Sequence, residues 1–207
     1  MKRNESIDIA KGIGIILVVL GHLNHYIYLN NTYKGIHDFI FMFHMPLFFL
    51  LSGFTLKIYE ESPMKTLFRR RLNSLIRPFV IGCIIFGLYD ILKELLVSKS
   101  FNALSFFNYL IKPLVTVGNF EGSWFLPCLF LAVLLTMLII VSTRNNLYKT
   151  IIFLCIVGLI GLFLPKLIQN SAFHYLHNFY NIDVAFVACF FIGIALSLIH
   201  ISEPTRP

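Results

Sequence analysis

The sequence predicts an all-α protein, a bundle of helices that crosses a membrane several times. Hydrophobic residues make up 57% of its 207 positions and charged residues only 13%, which is more apolar surface than a soluble domain of this size needs. Apolar runs long enough to cross a bilayer recur from end to end, whereas a secretory signal would occur once and be shorter. We therefore predict one polytopic membrane domain embedded in a lipid bilayer.

Hydropathy places about six spans along the chain. The long connection between the third and fourth spans has an apolar middle, "FFNYLIKPLVTV", which indicates an interfacial or re-entrant helix. The six predicted spans are residues 12–30, 39–58, 78–97, 123–142, 150–169 and 184–200.

The distribution of basic residues predicts the orientation of these spans. Lys and Arg concentrate at the amino terminus, after the second span and after the fourth, and short loops rich in them stay in the cytoplasm. We therefore expect a cytoplasmic amino terminus and outward-facing connections at 31–38, 98–122 and 170–183. The net charge of +7 is then explained by the cations of the cytoplasmic loops. No aromatic-basic module indicates a nucleic-acid partner.

The four cysteines indicate packing rather than chemistry. Each lies singly inside an apolar run, without paired spacing or nearby histidines, so that neither a disulfide framework nor a metal site is predicted. Buried free thiols are usually inert packing residues. These residues are Cys83, Cys128, Cys155 and Cys189.

The first span contains two ionisable residues, Lys11 and His22, in the stretch "KGIGIILVVLGH". Eleven helical residues turn through about three turns plus 20°, so both side chains lie on one face, roughly 16 Å apart along the axis. An ionisable group in a span is costly unless it faces a bundle interior or a wet cavity, which makes His22 a functional candidate. In the alternative, His22 is a neutral residue tying helices together and Lys11 reaches the headgroups.

The second span contains His44 and Pro46 in "FHMPLFFLLSGF". Pro46 removes a backbone donor and predicts a kink. Since spans one and two cross in opposite directions, we expect His22 and His44 at similar depths, bordering one cavity. Ser52 and Gly53 indicate close helix packing, and neither is given a catalytic role.

An arginine-rich stretch, "FRRRLNSLIRPF", follows the second span on the expected cytoplasmic side. Guanidinium groups bind phosphate well, so Arg69, Arg70, Arg71 and Arg77 are candidate ligands of a phosphorylated cytoplasmic molecule. The alternative is a cluster that fixes topology and meets anionic lipid.

The fourth span begins with "SWFLPCLF", in which Trp124 is expected to be an interfacial anchor. Together, these four stretches resemble the acyltransferase 3 family of integral membrane acyltransferases, in particular its fucose 4-O-acetylase-like branch. The similarity covers residues 5 to 195. It comprises a basic residue and a histidine eleven positions apart (Lys11, His22), an aromatic-His-x-Pro stretch ending in Ser-Gly (Phe43 to Gly53), arginines before the third helix and a Trp-Phe-Leu element (Trp124 to Leu126).

The resemblance implies an O-acyltransferase of the bacterial cytoplasmic membrane. Such an enzyme moves an acyl group, usually acetyl, from cytoplasmic acyl-coenzyme A to a hydroxyl of an envelope carbohydrate, without a metal. Lys11, Arg69 and Arg71 would then bind the phosphate-rich end of acetyl-CoA, and the pantetheine arm would extend toward His22.

For the chemistry, a buried neutral imidazole is a suitable general base, and His22 is predicted to deprotonate the acceptor hydroxyl. An acyl-histidine intermediate is the alternative to direct transfer. The oxyanion needs a donor, for which His44 or a protein N–H group is a candidate.

The carboxyl-terminal residues raise a separate expectation. Leu196 to Arg206 match, residue for residue, the translation of a transposase-based sequencing adapter. We therefore predict a partial acyltransferase domain over residues 1–195 and a non-native tail over 196–207. Full-length members of the family have roughly ten helices, and a closed bundle shields polar groups from lipid, so we expect this shorter chain to be inactive by itself.

Two other functional classes fit parts of the sequence. In a transporter or channel, the histidines and glycines would line a permeation path, but we find none of the paired repeats that transporters often have. A non-catalytic membrane scaffold would be indifferent to loss of His22.

Overall fold

In the computed structural model, the described residues are 5–23, 31–56, 64–97, 103–116, 124–168 and 181–202, and every regular element in them is helical. This confirms the predicted all-α class. The helices are α1 (Glu5–Leu23), α2 (Asn31–Phe54), α3 (Met64–Arg71), α4 (Arg77–Val97), α5 (Ala103–Phe106), α6 (Lys112–Thr116), α7 (Phe125–Ser142), α8 (Leu147–Ile168) and α9 (Ile182–Ser202).

Five helical stretches among the described residues are long and apolar enough to cross a membrane, which confirms a polytopic bundle. The first predicted span, residues 12–30, is not among them. Its described part belongs to α1, whose first half carries the charged residues Glu5, Asp8 and Lys11. Residues 24–30 lie outside the described part of the chain. The five stretches are Lys34–Phe54, Lys65–Val97, Phe125–Ser142, Leu147–Lys166 and Ile182–Ile199.

Two segments predicted as connections are helical instead. Residues 31–38, expected to be an outer loop, form the first two turns of α2, and the arginine-rich stretch, residues 68–79, is helical from the end of α3 into the start of α4. Polar residues lower the hydropathy of both segments, yet residues 31–38 contain no proline, and Pro78 near the end of the arginine-rich stretch does not stop the helix. Hydropathy therefore located the apolar part of each helix and missed its polar end.

Two π-helical turns interrupt the helices, and each is followed by a proline. The turns are Leu72–Ile76 and Phe107–Ile111, with Pro78 and Pro113 two residues beyond. In an α-helix a proline lacks the N–H group and collides with the carbonyl four residues earlier. Local widening relieves this conflict: the N–H of Arg77 bonds to Leu72 O, five residues back, so that the helix continues from α3 into α4.

The predicted interfacial or re-entrant segment is helical over α5 and α6 and packs against α4. The hydroxyl of Ser105 donates to Glu94 Oε1 over 2.9 Å. A Cβ added to Gly87 would overlap the backbone of Tyr109. The hydrogen bond and the close approach fix this helical segment to the carboxyl-terminal half of α4.

Helices α7, α8 and α9 form the core, with the end of α2 against them. Cys128 lies beside Asn181 and Ala132 beside Cys189, so α7 and α9 run in the same direction. Helix α8 runs antiparallel to α9. The buried cluster includes Leu129, Val133, Leu154, Ala188 and Ile192.

Glycines allow α8 and α9 to approach closely. A Cβ at Gly161 would lie 2.7 Å from the carbonyl oxygen of Asp183 and 2.9 Å from the amide nitrogen of Val187, and one at Gly158 would lie 2.6 Å from Phe190 Cβ. Small residues serve this purpose in membrane helices, because packing rather than hydrophobic exclusion holds the helices together.

The four cysteines are free thiols; Cys83, Cys128 and Cys189 are buried and Cys155 is half-buried. Cys189 Sγ lies 3.3 Å from Ala185 O in its own helix. Their positions fit the predicted packing role.

Candidate active site

Helices α1 and α2 form an antiparallel pair that carries the first candidate residues. Gly14 faces Phe48, and Gly21 faces Ile40 and Phe41. In this register Lys11 lies beside Leu51 and His22 beside Ile40. The glycines matter because a Cβ at Gly21 would lie 2.8 Å from the Phe41 ring.

The ring of Phe41 contacts both candidate imidazoles. Its centroid lies 5.5 Å from that of His22 and 4.9 Å from that of His44, and both contacts are edge-on. The structure thus places His22 and His44 against the same phenyl ring, and the cavity that they were expected to border stays a prediction. Their depths differ, however, because the register places His44 about one helical turn, roughly 6 Å, nearer to Lys11.

His44 has a defined hydrogen-bonding state. Its Nδ1 lies 2.8 Å from Ile40 O, and because a carbonyl only accepts, Nδ1 must carry the proton. Nε2 is then unprotonated in the neutral ring; it is buried and has no hydrogen-bond partner among the described residues. A neutral His44 therefore accepts a hydrogen bond at Nε2 and donates there only when protonated, which favours an accepting role over the oxyanion-donor role considered from the sequence.

A further histidine, which the sequence analysis did not single out, lies on the same ring. His37 stacks on Phe41 with centroids 4.2 Å apart, and its Nδ1 lies 3.1 Å from Asp38 Oδ1. His37, Phe41 and His44 recur at i, i+4 and i+7, the spacing of one helix face. That pattern is visible in the sequence, but hydropathy predicts a loop over residues 31–38, and helical spacing has no meaning in a loop.

Two of the predicted cations, Lys11 and Arg71, lie at the opposite end of the α1–α2 pair. Arg71 is half-buried and its Nη2 donates to Thr55 O over 3.4 Å, just beyond the level of Lys11. Arg69 is exposed. Two residues apart on a helix, Arg69 and Arg71 point about 200° away from each other, so the structure directs Arg71 and not Arg69 toward α2.

The other residues singled out in these stretches have packing contacts. Ser52 Oγ donates to Phe48 O in its own helix, and a Cβ at Gly53 would lie 2.6 Å from Ala195 Cβ, as expected for close packing. Trp124 is half-buried and packs against the core.

An apolar cavity of about 630 Å³ lies apart from the histidines. Ile76, Phe79 and Val80 of the α3–α4 helix form one wall, and Pro127 and Phe130 of α7 belong to the other. Its described lining contains no group that transfers a proton. Over the described part of the chain, no three His, Cys, Asp or Glu side chains cluster in a way that could hold a metal ion.

Comparison with known proteins gives one family and two relatives. A family model described as "Acyltransferase domain", that of the acyltransferase 3 family, matches residues 4–206. The chain is 30% identical over 194 residues to Nodulation protein NolL of Sinorhizobium fredii (strain NBRC 101917 / NGR234), covering 82% of this chain and 51% of that protein. It is 45% identical over 60 residues to Nodulation protein NolL of Mesorhizobium japonicum (strain LMG 29417 / CECT 9101 / MAFF 303099), covering 25% and 15%. The chain thus spans about half the length of the first of these relatives, and no solved structure matches it.

Proposed function

The chain belongs to the acyltransferase 3 family, and from this premise we propose that it transfers an acyl group, acetyl in the first instance, from cytoplasmic acyl-coenzyme A to a hydroxyl of an envelope carbohydrate. One observation carries the proposal. The α1–α2 pair has Lys11 near one end and His22 near the other, roughly 16 Å apart along α1, with Arg71 beyond Lys11 on Thr55 O. An extended pantetheine arm can cover that distance.

The distribution of cations supports a place in the bacterial cytoplasmic membrane with the amino terminus inside. Lys11, the α3 arginines and the turn with Arg144 and Lys149 would all lie on one side of the bundle, and cytoplasmic loops are rich in such residues. Acyl-coenzyme A is then on the side of the arginines. The imidazoles lie toward the outer face, where an envelope carbohydrate would be.

At the cytoplasmic end, Lys11, Arg69 and Arg71 bind the phosphates of the donor. Arg71 is the principal ligand because its guanidinium is held at the end of α2 by Thr55 O, which leaves its other N–H groups to form charge-assisted hydrogen bonds. Arg69 is exposed on the side of α3 that faces away from α2, so it reaches the ligand only from that side. It adds long-range attraction more than a fixed contact.

At the other end, His22 is the general base. It takes the proton of the acceptor hydroxyl as the hydroxyl oxygen attacks the thioester carbonyl carbon. The resulting imidazolium lies next to the oxyanion and stabilises it. When the C–S bond breaks, His22 returns the proton to the coenzyme A thiolate, so that the ester and the free thiol leave with all protons accounted for.

His44 takes part as a hydrogen-bond acceptor. With its Nδ1 proton on Ile40 O, its Nε2 lone pair is directed away from the backbone of α2 and has no partner among the described residues. We assign it to an N–H or O–H group of a bound substrate, one turn nearer to the donor than His22. An unpaired buried acceptor is costly, and substrate binding removes that cost.

We further propose that residues 1–195 belong to a longer acyltransferase domain and that 196–207 are the adapter-derived tail predicted above. Resequencing the gene beyond codon 195 defines the natural continuation. The protein encoded by that sequence is called the full-length protein below.

The experiment that tests the function is transfer of label from radiolabelled acetyl-CoA to extracted envelope carbohydrate by membranes containing the full-length protein. We expect label in base-labile ester linkage. Movement of a solute across these membranes without acetyl-CoA, and with no ester formed, would favour a transporter instead.

Arg71→Ala is expected to raise the KM for acetyl-CoA by about tenfold or more, since hydrogen bonds to charged groups contribute roughly 1.5–3 kcal/mol. The matched control is Arg70→Ala, because Arg70 is exposed and adjacent. Acetyl-pantetheine, which lacks the nucleotide phosphates, serves as second donor and should be used equally well by both variants. An equal change for both donors would show that Arg71 acts on the fold and not on phosphate.

A further inference from the structure

The outer end of α2 presents a carboxylate, an imidazole and a phenyl ring that the proton transfers of His22 do not use. We propose that Asp38, His37 and the exposed part of Phe41 bind the carbohydrate acceptor and direct its reacting hydroxyl to His22. This inference rests on the proposed function and names the residues that select its second substrate.

The ring of Phe41 connects these residues to the proposed base. His37 stacks on Phe41 at 4.2 Å, and the same phenyl ring contacts His22 at 5.5 Å. Asp38 is joined to His37 by the 3.1 Å contact between Nδ1 and Oδ1. A hexose whose reacting hydroxyl lies at His22 therefore has its far hydroxyls near Asp38 and His37.

The three side chains have the chemistry that a sugar requires. A carboxylate is an acceptor for hydroxyl groups, and Oδ2 of Asp38 keeps its accepting capacity because the contact with His37 uses Oδ1. Hydrogen bonds to a charged acceptor are short and strong. Phe41 is 40% exposed. The negative face of a phenyl ring attracts the polarised C–H groups of a sugar.

Depth supports the same assignment. The side chain of Asp38 is 63% exposed, and an exposed carboxylate is not stable against hydrocarbon, so this level of α2 meets water or headgroups. His22 lies beside Ile40 in the register set by Gly21, which is two residues, or about 3 Å, from Asp38 along the axis. A polar acceptor can therefore reach His22 without entering the apolar interior.

A binding measurement tests the site without requiring turnover. The full-length protein in nanodiscs is titrated with methyl α-L-fucopyranoside, methyl α-D-galactopyranoside and methyl α-D-glucopyranoside, followed by saturation-transfer NMR. We expect the wild type to bind at least one glycoside. Asp38→Asn should weaken that binding about tenfold through loss of a charge-assisted hydrogen bond, while the Kd for acetyl-CoA stays the same.

Phe39 provides the matched control for Phe41. It lies at the same end of α2 and is more exposed, but its ring packs on Phe43 and points about 200° away from Phe41. Phe41→Leu should weaken glycoside binding and Phe39→Leu should not. Equal effects of the two, unchanged binding in Asp38→Asn, or no glycoside bound by the wild type would each overturn the proposal.

The acceptor site and the acyl-transfer function can fail separately. Glycoside binding that depends on Asp38, without acetyl transfer to any acceptor, would leave the acceptor site standing and remove the proposed function. If the wild type and the Asp38→Asn variant transfer acetyl groups with the same KM for the acceptor, the proposed function stands and the acceptor site is removed.

Discussion

Replacing His22 by alanine is expected to lower acetyl transfer at least about a hundredfold, because positioned acid–base catalysis contributes roughly 10²–10⁴ in rate. Both the deprotonation of the hydroxyl and the protonation of the thiolate pass through this imidazole. The loss should therefore appear in kcat at saturating acetyl-CoA and acceptor. The KM for acetyl-CoA should change little, since its phosphates bind at the other end of α1.

Val19→Ala is the control for this substitution. Val19 lies one turn earlier on α1 and is exposed, so its truncation removes side-chain volume from the same helix without touching the site. A melting temperature within a few degrees of wild type for both variants shows that the fold persists. Undiminished transfer by the folded His22→Ala variant would remove His22 as the base and direct attention to His44.

The second large effect concerns the bundle itself. Gly161→Ala is expected to destabilise the protein by about 1–3 kcal/mol, the usual cost of overpacking. The new methyl would lie 2.7 Å from Asp183 O and 2.9 Å from Val187 N. Because these are backbone atoms, no side chain can rotate away, and α8 must separate from α9.

Gly35→Ala is the matched control because a Cβ there meets nothing within 4 Å. Alanine is a better helix former than glycine by roughly 0.8–1 kcal/mol, so this variant should be as stable as wild type or more so. Unfolding in detergent, monitored by circular dichroism, compares the two. Equal stability of both variants would contradict the close α8–α9 contact.

Much of the architecture could be predicted because a membrane imposes one simple rule on its helices. Backbone groups in lipid must bond internally, so each long apolar run had to be helical, and the cores of α2, α4, α7, α8 and α9 appear where hydropathy placed them. The polar ends could not be found this way. Asn31 to Asp38 lower the hydropathy of the first turns of α2 without altering the backbone hydrogen bonds that make them helical.

That missed helix end had a consequence for the candidate site. Helical spacing pointed to Lys11 and His22, and the likeness of "FHMPLFFLLSGF" to a family stretch pointed to His44. His37 was overlooked because it falls in the segment predicted as a loop. Its stacking on Phe41 and its contact with Asp38 depend on α2 being helical from Asn31.

The offset of roughly 6 Å in depth between His22 and His44 depends on the register of α1 against α2, which Gly14 and Gly21 set. Neither this register nor the helical start of α2 is encoded in local composition.

Sidedness tests the central claim most directly. Sealed inverted membrane vesicles containing the full-length protein expose the cytoplasmic face to added radiolabelled acetyl-CoA, which does not cross the bilayer, and carry the carbohydrate acceptor inside. We predict labelled ester on the enclosed acceptor, and none when the same donor is added to right-side-out vesicles. Equal labelling in both orientations, or labelling only of acceptor added on the donor side, would contradict a site that receives acetyl-CoA at Lys11 and Arg71 and delivers its acyl group at His22 near the opposite face.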